Sequence, residues 1–272
     1  MRKGQTSIIL GKNAPAILKI SGIILGVIIL ISVLIFILSK TSAPTSTPEY
    51  SAVIKRGVLR VGIRSDIPGF SLNGSGLEVD LARALSLEFF PEKGDSALQL
   101  VTIASSMMNA KLSDSTVDFA IMIAPNAKIT GQFAYSTPYY TDKCIVATIG
   151  TELEGDFSGK TIGIITGSAA AESLSKYKKA NELEFTTVAF GTFDLMLKDL
   201  KNGKLNAVIL ENAHFRQYQE AFSLVGGAEI GTVDYSITCS KDSPALAQIA
   251  SMMLEKMAEN GELQQLIVKN GL

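Results

Sequence analysis

The chain has 272 residues with 25 basic and 26 acidic side chains, so its formal net charge is -1 at pH 7. This balance, without a basic stripe, argues against nucleic acid as a partner. One histidine, His214, and two cysteines, Cys144 and Cys239, supply too few ligands for a Cys/His zinc site, and any Ser/His/Asp triad would have to use His214. We therefore expect no metal and no other cofactor, and the length suits two lobes better than one domain.

Residues 20–39 contain no charged side chain and are numerous enough to cross a bilayer as a helix. Basic residues are more numerous before this span than after it, which predicts a cytoplasmic N-terminus over residues 1–19 and a single-pass protein of the plasma membrane. A cleaved signal peptide is the alternative. We favour the retained helix, because the apolar run is longer than a signal peptide needs and Pro44 follows the only candidate cleavage site. The Pro/Ser/Thr-rich residues 40–50 then form a linker to an extracytoplasmic remainder.

Beyond the linker, β-rich segments alternate with helical ones. Strands are predicted over 58–63, 98–103 and 117–123, with a helix marked by Leu81, Ala82, Leu85 and Phe89 and a shorter one over 106–112. Such alternation is typical of a parallel sheet, and ligands bind outside the carboxyl ends of its strands. Those ends fall at residues 64–70, 104–106 and 124–128.

The stretch 133–146 separates two halves with the same order of elements. Pro138 prevents helix here, and the β-branched residues that follow favour an extended crossover between two α/β lobes. We assign residues 51–140 and 234–272 to lobe 1 and residues 141–233 to lobe 2. The second crossover, back to lobe 1, is predicted at 235–239 and is followed by a helix from Ser243-Pro244.

In lobe 2, a predicted strand over 160–165 leads into a helix that opens at Gly167-Ser168. Ser168 and the free N–H groups of this helix start could hold an anion, or Ser168 could simply cap the helix. Further strands are predicted over 185–189 and 207–210, with a helix capped by Thr192 between them. Glu211 stands at the carboxyl end of the last strand, where it could receive a cationic ligand group or be a solvated loop carboxylate.

Four segments, in this order and spacing, resemble one family. They are residues 55–62 (KRGVLRVG), 76–82 (GLEVDLA), 117–121 (VDFAI) and 135–140 (YSTPYY). They are similar to the extracellular solute-binding proteins of family 3, the polar amino-acid receptors of ABC importers, and the resemblance covers residues 50–272. It implies an α/β, two-lobed type II periplasmic-binding-protein fold with two crossover strands. It also implies capture of a small solute, an amino acid or related amine, with ABC permease subunits as partners.

The resemblance places the solute in the cleft between the lobes. Glu211 stands where relatives carry an Asp that receives the ligand's ammonium group, and the resemblance favours the anion role at the helix start. The implied ligand-binding residues are Asp66, Phe70, Ala124, Asn126, Lys128, Gly167, Ser168, Ala169 and Glu211. Phe70 would cover the apolar part of the solute. The sequence departs from the family at 124–130, which lacks the carboxylate-gripping Arg of α-amino-acid receptors; Lys128 supplies charge there but no planar fork.

Two other functions stay open at the level of sequence. Some relatives are cyclohexadienyl dehydratases, and Glu211 or Asp66 could serve as the cleft acid of such an enzyme. A ligand-sensing domain is the other alternative, although we find no output domain in the sequence. We expect Cys144 and Cys239 to be two buried thiols, because a bond between the lobes would hamper their closure.

Overall fold

The computed structural model describes residues 44–104, 107–123, 132–155 and 157–272. The predicted transmembrane span and the predicted site residues Ala124, Asn126 and Lys128 lie outside the described residues. Within the described ranges, we find no helix with the length and apolar character that a membrane crossing requires.

The helices and strands alternate as the sequence pattern predicts. The helices are α1 Pro48–Arg56, α2 Leu77–Phe89, α3 Met108–Ser113, α4 Ala169–Ala180, α5 Phe193–Lys201, α6 Asn212–Phe222, α7 Pro244–Glu259 and α8 Glu262–Lys269. The strands are β1 Leu59–Ile63, β2 Asp66–Ile67, β3 Ser71–Leu72, β4 Leu98–Thr102, β5 Phe119–Ile123, β6 Phe133–Ile149, β7 Thr161–Ile165, β8 Thr186–Phe190, β9 Ala207–Glu211 and β10 Leu224–Ser240.

Eight strands form one sheet in the order β4-β1-β5-β10-β6-β9-β7-β8, and β2 and β3 form a separate hairpin. Strand β1 is parallel to β4 and β5, and β7 is parallel to β8 and β9, so each lobe has its own three-stranded parallel unit. Between them lie β6 and β10, 17 residues each, which pair with one another antiparallel. Strand β10 also pairs with β5, and β6 with β9, so these two strands connect the lobes.

The helices cover the sheet with apolar faces set by their spacing. In α5 the buried residues are Met196, Leu197 and Leu200, and in α7 they include Leu246, Ile249, Ala250, Met253 and Met257. Both faces follow the helical period, as predicted. The buried apolar side chains of α5 belong to a cluster in lobe 2 that also takes in Val208 and Leu210 of β9.

Gly76 fixes the entry to α2. Its φ is 128°, a conformation that L side chains rarely adopt, and a Cβ at this position would lie 2.3 Å from the carbonyl oxygen of Phe70. The N–H of Glu78 donates to that same oxygen at 2.8 Å. A glycine is therefore required where the hairpin meets the helix, because only glycine allows this close backbone approach.

The sequence-based prediction is incomplete at several elements. The return strand was predicted over 235–239, but β10 begins at Leu224. The prediction was too short because the lobe 2 half of β10 contains Gly226, Gly227 and Gly231 and so lacks a clear alternation of apolar and polar side chains. Helix α1 begins at Pro48, inside the predicted linker, with Thr47 accepting from the N–H of Tyr50 at 3.4 Å. The predicted loop at 66–70 contains strand β2 of the hairpin.

The two cysteines are free and buried, as predicted. Cys144 pairs with Gly231 in the β6–β10 ladder, whereas Cys239 pairs with Ala134. The two pairs are separated by the run from Ala134 to Cys144 along β6, roughly 33 Å at the rise of an extended strand. A disulfide needs Cα atoms within about 7 Å, so this fold keeps the two thiols apart.

Candidate ligand-binding cleft

The start of α4 forms the lobe 2 wall of the candidate site. Ser168 has extended backbone angles, and its Oγ accepts a hydrogen bond from the N–H of Ala171 at 3.0 Å. This is the geometry of an N-cap. Gly167, with φ of 76°, turns the chain from β7 into the helix, and Ala169 is its first residue. The capping interpretation of Ser168 is thus observed, while the anion role stays a prediction.

Glu211 lies directly beneath this helix start. It is the last residue of β9 and precedes α6, and it is only 6% exposed. Its Oε1 accepts from the N–H of Ala170 at 3.3 Å, and its Oε2 lies 3.1 Å from Nδ1 of His214. Burial by itself would raise the pKa of Glu211, but the hydrogen bond and charge of His214, with the bond from Ala170, outweigh burial and lower it. The site therefore holds an ionised carboxylate.

His214 is part of this arrangement, although no ligand-site role was predicted for it from the sequence. It stands three residues after Glu211, a spacing that brings two side chains together on a helix. Its ring also stacks on Phe193 of α5, with centroids 4.3 Å apart. Stacking on Phe193 holds the ring in place, and its Nδ1 therefore orients the Glu211 carboxylate.

A second buried acid, Asp142, comes from the crossover strand β6. Its Oδ2 accepts from the N–H of Ala213 at 2.9 Å, and its Oδ1 accepts from the N–H of Lys143 at 3.0 Å. Asp142 thus satisfies a free N–H at the start of α6. Burial raises the pKa of Asp142, the two backbone hydrogen bonds oppose the rise, and the neighbouring charge of Glu211 adds to it.

On the lobe 1 side, Asp66 is exposed and touches the opposite lobe through its backbone. Its carbonyl oxygen accepts from Nε2 of Gln217, on α6, at 2.7 Å. Its Oδ1 lies 3.3 Å from Nε of Arg64, which directly follows β1. Helix α6 makes a second contact with lobe 1, in which Arg216 donates to the carbonyl oxygen of Gly271, near the C-terminus, at 2.8 Å. The lobes are in contact in this structure.

Phe70 lies behind the crossover strands. Its ring is 1% exposed and packs against Tyr235 of β10 and Tyr140 of β6, with centroids 5.1 Å and 5.3 Å away. A ring enclosed in this way has no free face for a solute in this conformation. Instead, Phe70 supports the aromatic side chains that the crossover strands carry.

Two cavities adjoin the start of α4 on different faces of the helix. One, of about 390 Å³, lies between Ala169 and the crossover strands and is lined by residues such as Ser136 and Asp234. The other, about 550 Å³, lies between α4 and the β7–β8 edge and includes Gly167 and Ser168. The smaller cavity adjoins both crossover strands and the helix start, so it is the better candidate for part of a cleft between lobes.

The structure thus brings Gly167, Ser168, Ala169 and Glu211 together in lobe 2. Asp66, in lobe 1, contacts Gln217 of α6, the helix that follows Glu211. In the ranges that the structure describes, no group of three or more His, Cys, Asp or Glu side chains could hold a metal ion. No ligand-site role was predicted from the sequence for Asp142, His214 or Arg64. The helical spacing of His214 from Glu211, and the position of Arg64 at a strand's carboxyl end, are the signals that could have identified two of them.

Comparison with known proteins adds several relatives. YhdW of Escherichia coli K12, named as a proposed amino-acid ABC transporter-binding protein, is 25% identical over 171 residues, which are 58% of this chain and 49% of YhdW. The chain therefore spans about half the length of that relative. The ABC transporter arginine-binding protein 1 of Escherichia coli K12 is 22% identical over 222 residues, 76% of this chain and 88% of the relative.

Solved structures show the same fold. A mutant of the arginine-binding protein of T. maritima superposes with a TM-score of 0.64 at 24% identity, covering 81% of this chain and 98% of that one. The amino-acid ABC transporter substrate-binding protein AbpA of Streptococcus pneumoniae, solved with L-arginine, gives a TM-score of 0.62 at 24% identity, covering 81% and 97%. All of these relatives are binding proteins by name.

The family model of bacterial extracellular solute-binding proteins, family 3, matches residues 59–271, which is nearly all of the two-lobed region. The two parallel units and the pair of long crossover strands are the architecture that the sequence resemblance implied. The chain belongs to the bacterial extracellular solute-binding proteins of family 3.

Proposed function

We propose that this protein binds a small extracytoplasmic solute, an amino acid or a related amine, in the cleft between its lobes and presents it to the permease of an ABC importer. The observation that carries the proposal is Glu211, a buried, ionised carboxylate at the end of β9 between the lobe 2 helix start and the crossover strands. A buried negative charge at such a position favours a ligand cation, such as an ammonium group.

The position of the protein at the cell surface is part of the proposal. Residues 20–39 would hold it in the plasma membrane as a single span, with residues 1–19 in the cytoplasm and a linker before the binding region. Tethering keeps the receptor close to its permease, which raises the local concentration of the loaded form. Asp66, Gly167, Ser168, Ala169 and Glu211 remain the described residues that we propose to line the ligand site, with Phe70 as support for the crossover aromatics.

The test is calorimetric titration of the 272-residue chain in mild detergent with a panel of amino acids and amines. For a ligand that binds, Glu211→Gln should weaken binding by about 1.5–3 kcal/mol, because the amide keeps the size of the side chain but not its charge. Glu220→Gln is the matched control, since Glu220 lies on α6 but is exposed. If Glu211→Gln binds as tightly as the parent chain, Glu211 is not the cation site.

A further inference from the structure

Arg64 is a cation at the meeting point of both lobes and both crossover strands. It directly follows β1, and its side chain is 12% exposed. Its charge acts on the hydroxyl groups of Tyr139 on β6, Tyr218 on α6 and Tyr235 on β10. A guanidinium that is largely buried and whose charge reaches tyrosines of both lobes is placed beside the space between the lobes.

The hydrogen-bonding capacity of Arg64 is largely unused among the described residues. Its Nε is buried and makes no hydrogen bond there, although a guanidinium carries five N–H donors. The acid within ion-pair distance is Asp66, at 3.3 Å, whose side chain is 66% exposed and therefore well screened by water. A buried cation with free donors is costly unless another anion approaches it.

Glu78, on α2, does not supply that anion. It is 1% exposed, and it accepts a hydrogen bond from the backbone N–H of Arg64, while its Oε2 has no partner among the described residues. Burial raises the pKa of Glu78 to about 8, against the opposing charge and hydrogen bond of Arg64. At neutral pH the carboxyl is therefore mostly protonated, so among the described residues the charge of Arg64 has no buried counter-ion within ion-pair distance.

The helix start of lobe 2 is, by contrast, already engaged. The N–H of Ala170 donates to Glu211, and the N–H of Ala171 donates to Ser168. An anionic ligand group placed there would meet the Glu211 carboxylate, and two like charges repel at such short range. The cation and anion sites therefore separate, with Glu211 in lobe 2 and Arg64 in lobe 1.

We propose that Arg64 binds the carboxylate of the ligand from lobe 1 and so makes a carboxylate-bearing solute, rather than a simple amine, the ligand of this protein. The planar guanidinium can hold a carboxylate through two parallel hydrogen bonds, which a lysine cannot reproduce. This inference rests on the proposed function, because it assumes that a small solute enters the cleft.

The experiment titrates the 272-residue chain with L-glutamate, L-glutamine, L-arginine and agmatine, which is arginine without its carboxylate. We expect at least one of the three amino acids to bind and agmatine to bind at least tenfold more weakly than the tightest of them. Arg64→Met should weaken the binding of that amino acid by roughly 10- to 100-fold. The affinity of Arg64→Lys should lie between those of the parent chain and Arg64→Met. Arg83→Met, which removes a partly exposed arginine on α2, should change nothing, and thermal unfolding of each variant checks its fold.

Two results would overturn the inference while leaving the proposed function intact: amino-acid binding within twofold of the parent chain in a folded Arg64→Met variant, or agmatine bound as tightly as the amino acids. Failure of the parent chain to bind any of the four compounds would overturn it together with the amino-acid form of the proposed function. A loss of affinity in Glu211→Gln without a loss in Arg64→Met would show that only the proposed role of Arg64, in lobe 1, is wrong.

Discussion

At the scale of single residues, the buried acids of this protein behave in opposite ways. Glu211 is ionised because His214 and a backbone N–H stabilise its charge, whereas Glu78 is kept neutral because burial outweighs its contact with Arg64. The two side chains have the same chemistry and similar burial, at 6% and 1% exposed. Their neighbours decide the charge, which is information that residue types and spacing alone do not contain.

Glu78 should make the stability of the protein depend on pH. The folded state holds the Glu78 proton up to about pH 8, whereas an unfolded chain releases it near the ordinary value of 4.5. Between these values the folded state binds more protons, so its free energy of unfolding falls as pH rises, by up to about 1.4 kcal/mol per pH unit. Urea unfolding at pH 5, 6, 7 and 8 measures this slope.

Glu78→Gln should flatten that slope, because glutamine cannot titrate. Glu88→Gln serves as the control, since Glu88 is on the same helix, α2, and exposed. An equal slope in the Glu78→Gln and Glu88→Gln variants would show that other groups produce the pH dependence.

At the scale of elements, two helices of lobe 2 begin with equivalent N-caps. Ser168 accepts from the N–H of Ala171 at 3.0 Å at the start of α4, and Thr192 accepts from the N–H of Leu195 at 3.4 Å at the start of α5. Helix α4 adjoins the candidate cleft through Ala169. The pair allows the capping role of Ser168 to be separated from the anion role that the family resemblance implies.

Ser168→Ala and Thr192→Ala should each lower the free energy of unfolding by about 1 kcal/mol, the usual contribution of an N-cap. If Arg64 holds the ligand's carboxylate, Ser168→Ala should leave affinity within about threefold, as Thr192→Ala does. Denaturant unfolding and calorimetric titration of both variants provide the two measurements. A loss of affinity of tenfold or more confined to Ser168→Ala would assign the anion to α4 instead.

At the scale of the whole molecule, the order of strands and helices was predictable because the apolar periods and the punctuation by Gly and Pro are strong. Pro138 and the β-branched residues after it predicted the first crossover, and β6 confirms that prediction. The second crossover was predicted too short because its glycine-rich half lacks alternating side chains. The hydrogen bond from Ala170 to Glu211, the neutrality of Glu78 and the burial of Arg64 depend on contacts between distant segments, so the sequence could not supply them.

The lobes are joined by contacts that a change in their relative position would break. Gln217 donates to the carbonyl oxygen of Asp66 across the cleft, and β6 and β10 are the strands about which the lobes could rotate. A ligand that contacts both lobes binds the closed arrangement better than an open one, and so shifts the population towards closure. We expect a ligand-free population with greater separation between α2 and α5.

Spin labels at Leu87→Cys and Leu195→Cys would measure that separation, since these side chains are 51% and 58% exposed on α2 and α5. The native thiols are buried, which keeps them from labelling in the folded protein. Saturating ligand should shorten and narrow the distance distribution, and Gln217→Ala should lengthen it in the ligand-free chain by removing a contact that favours closure. A label pair within lobe 1, at Leu87 and the exposed Val268 of α8, should not respond. An unchanged distance between Leu87 and Leu195 at saturating ligand would mean that the lobes bind their solute without closing.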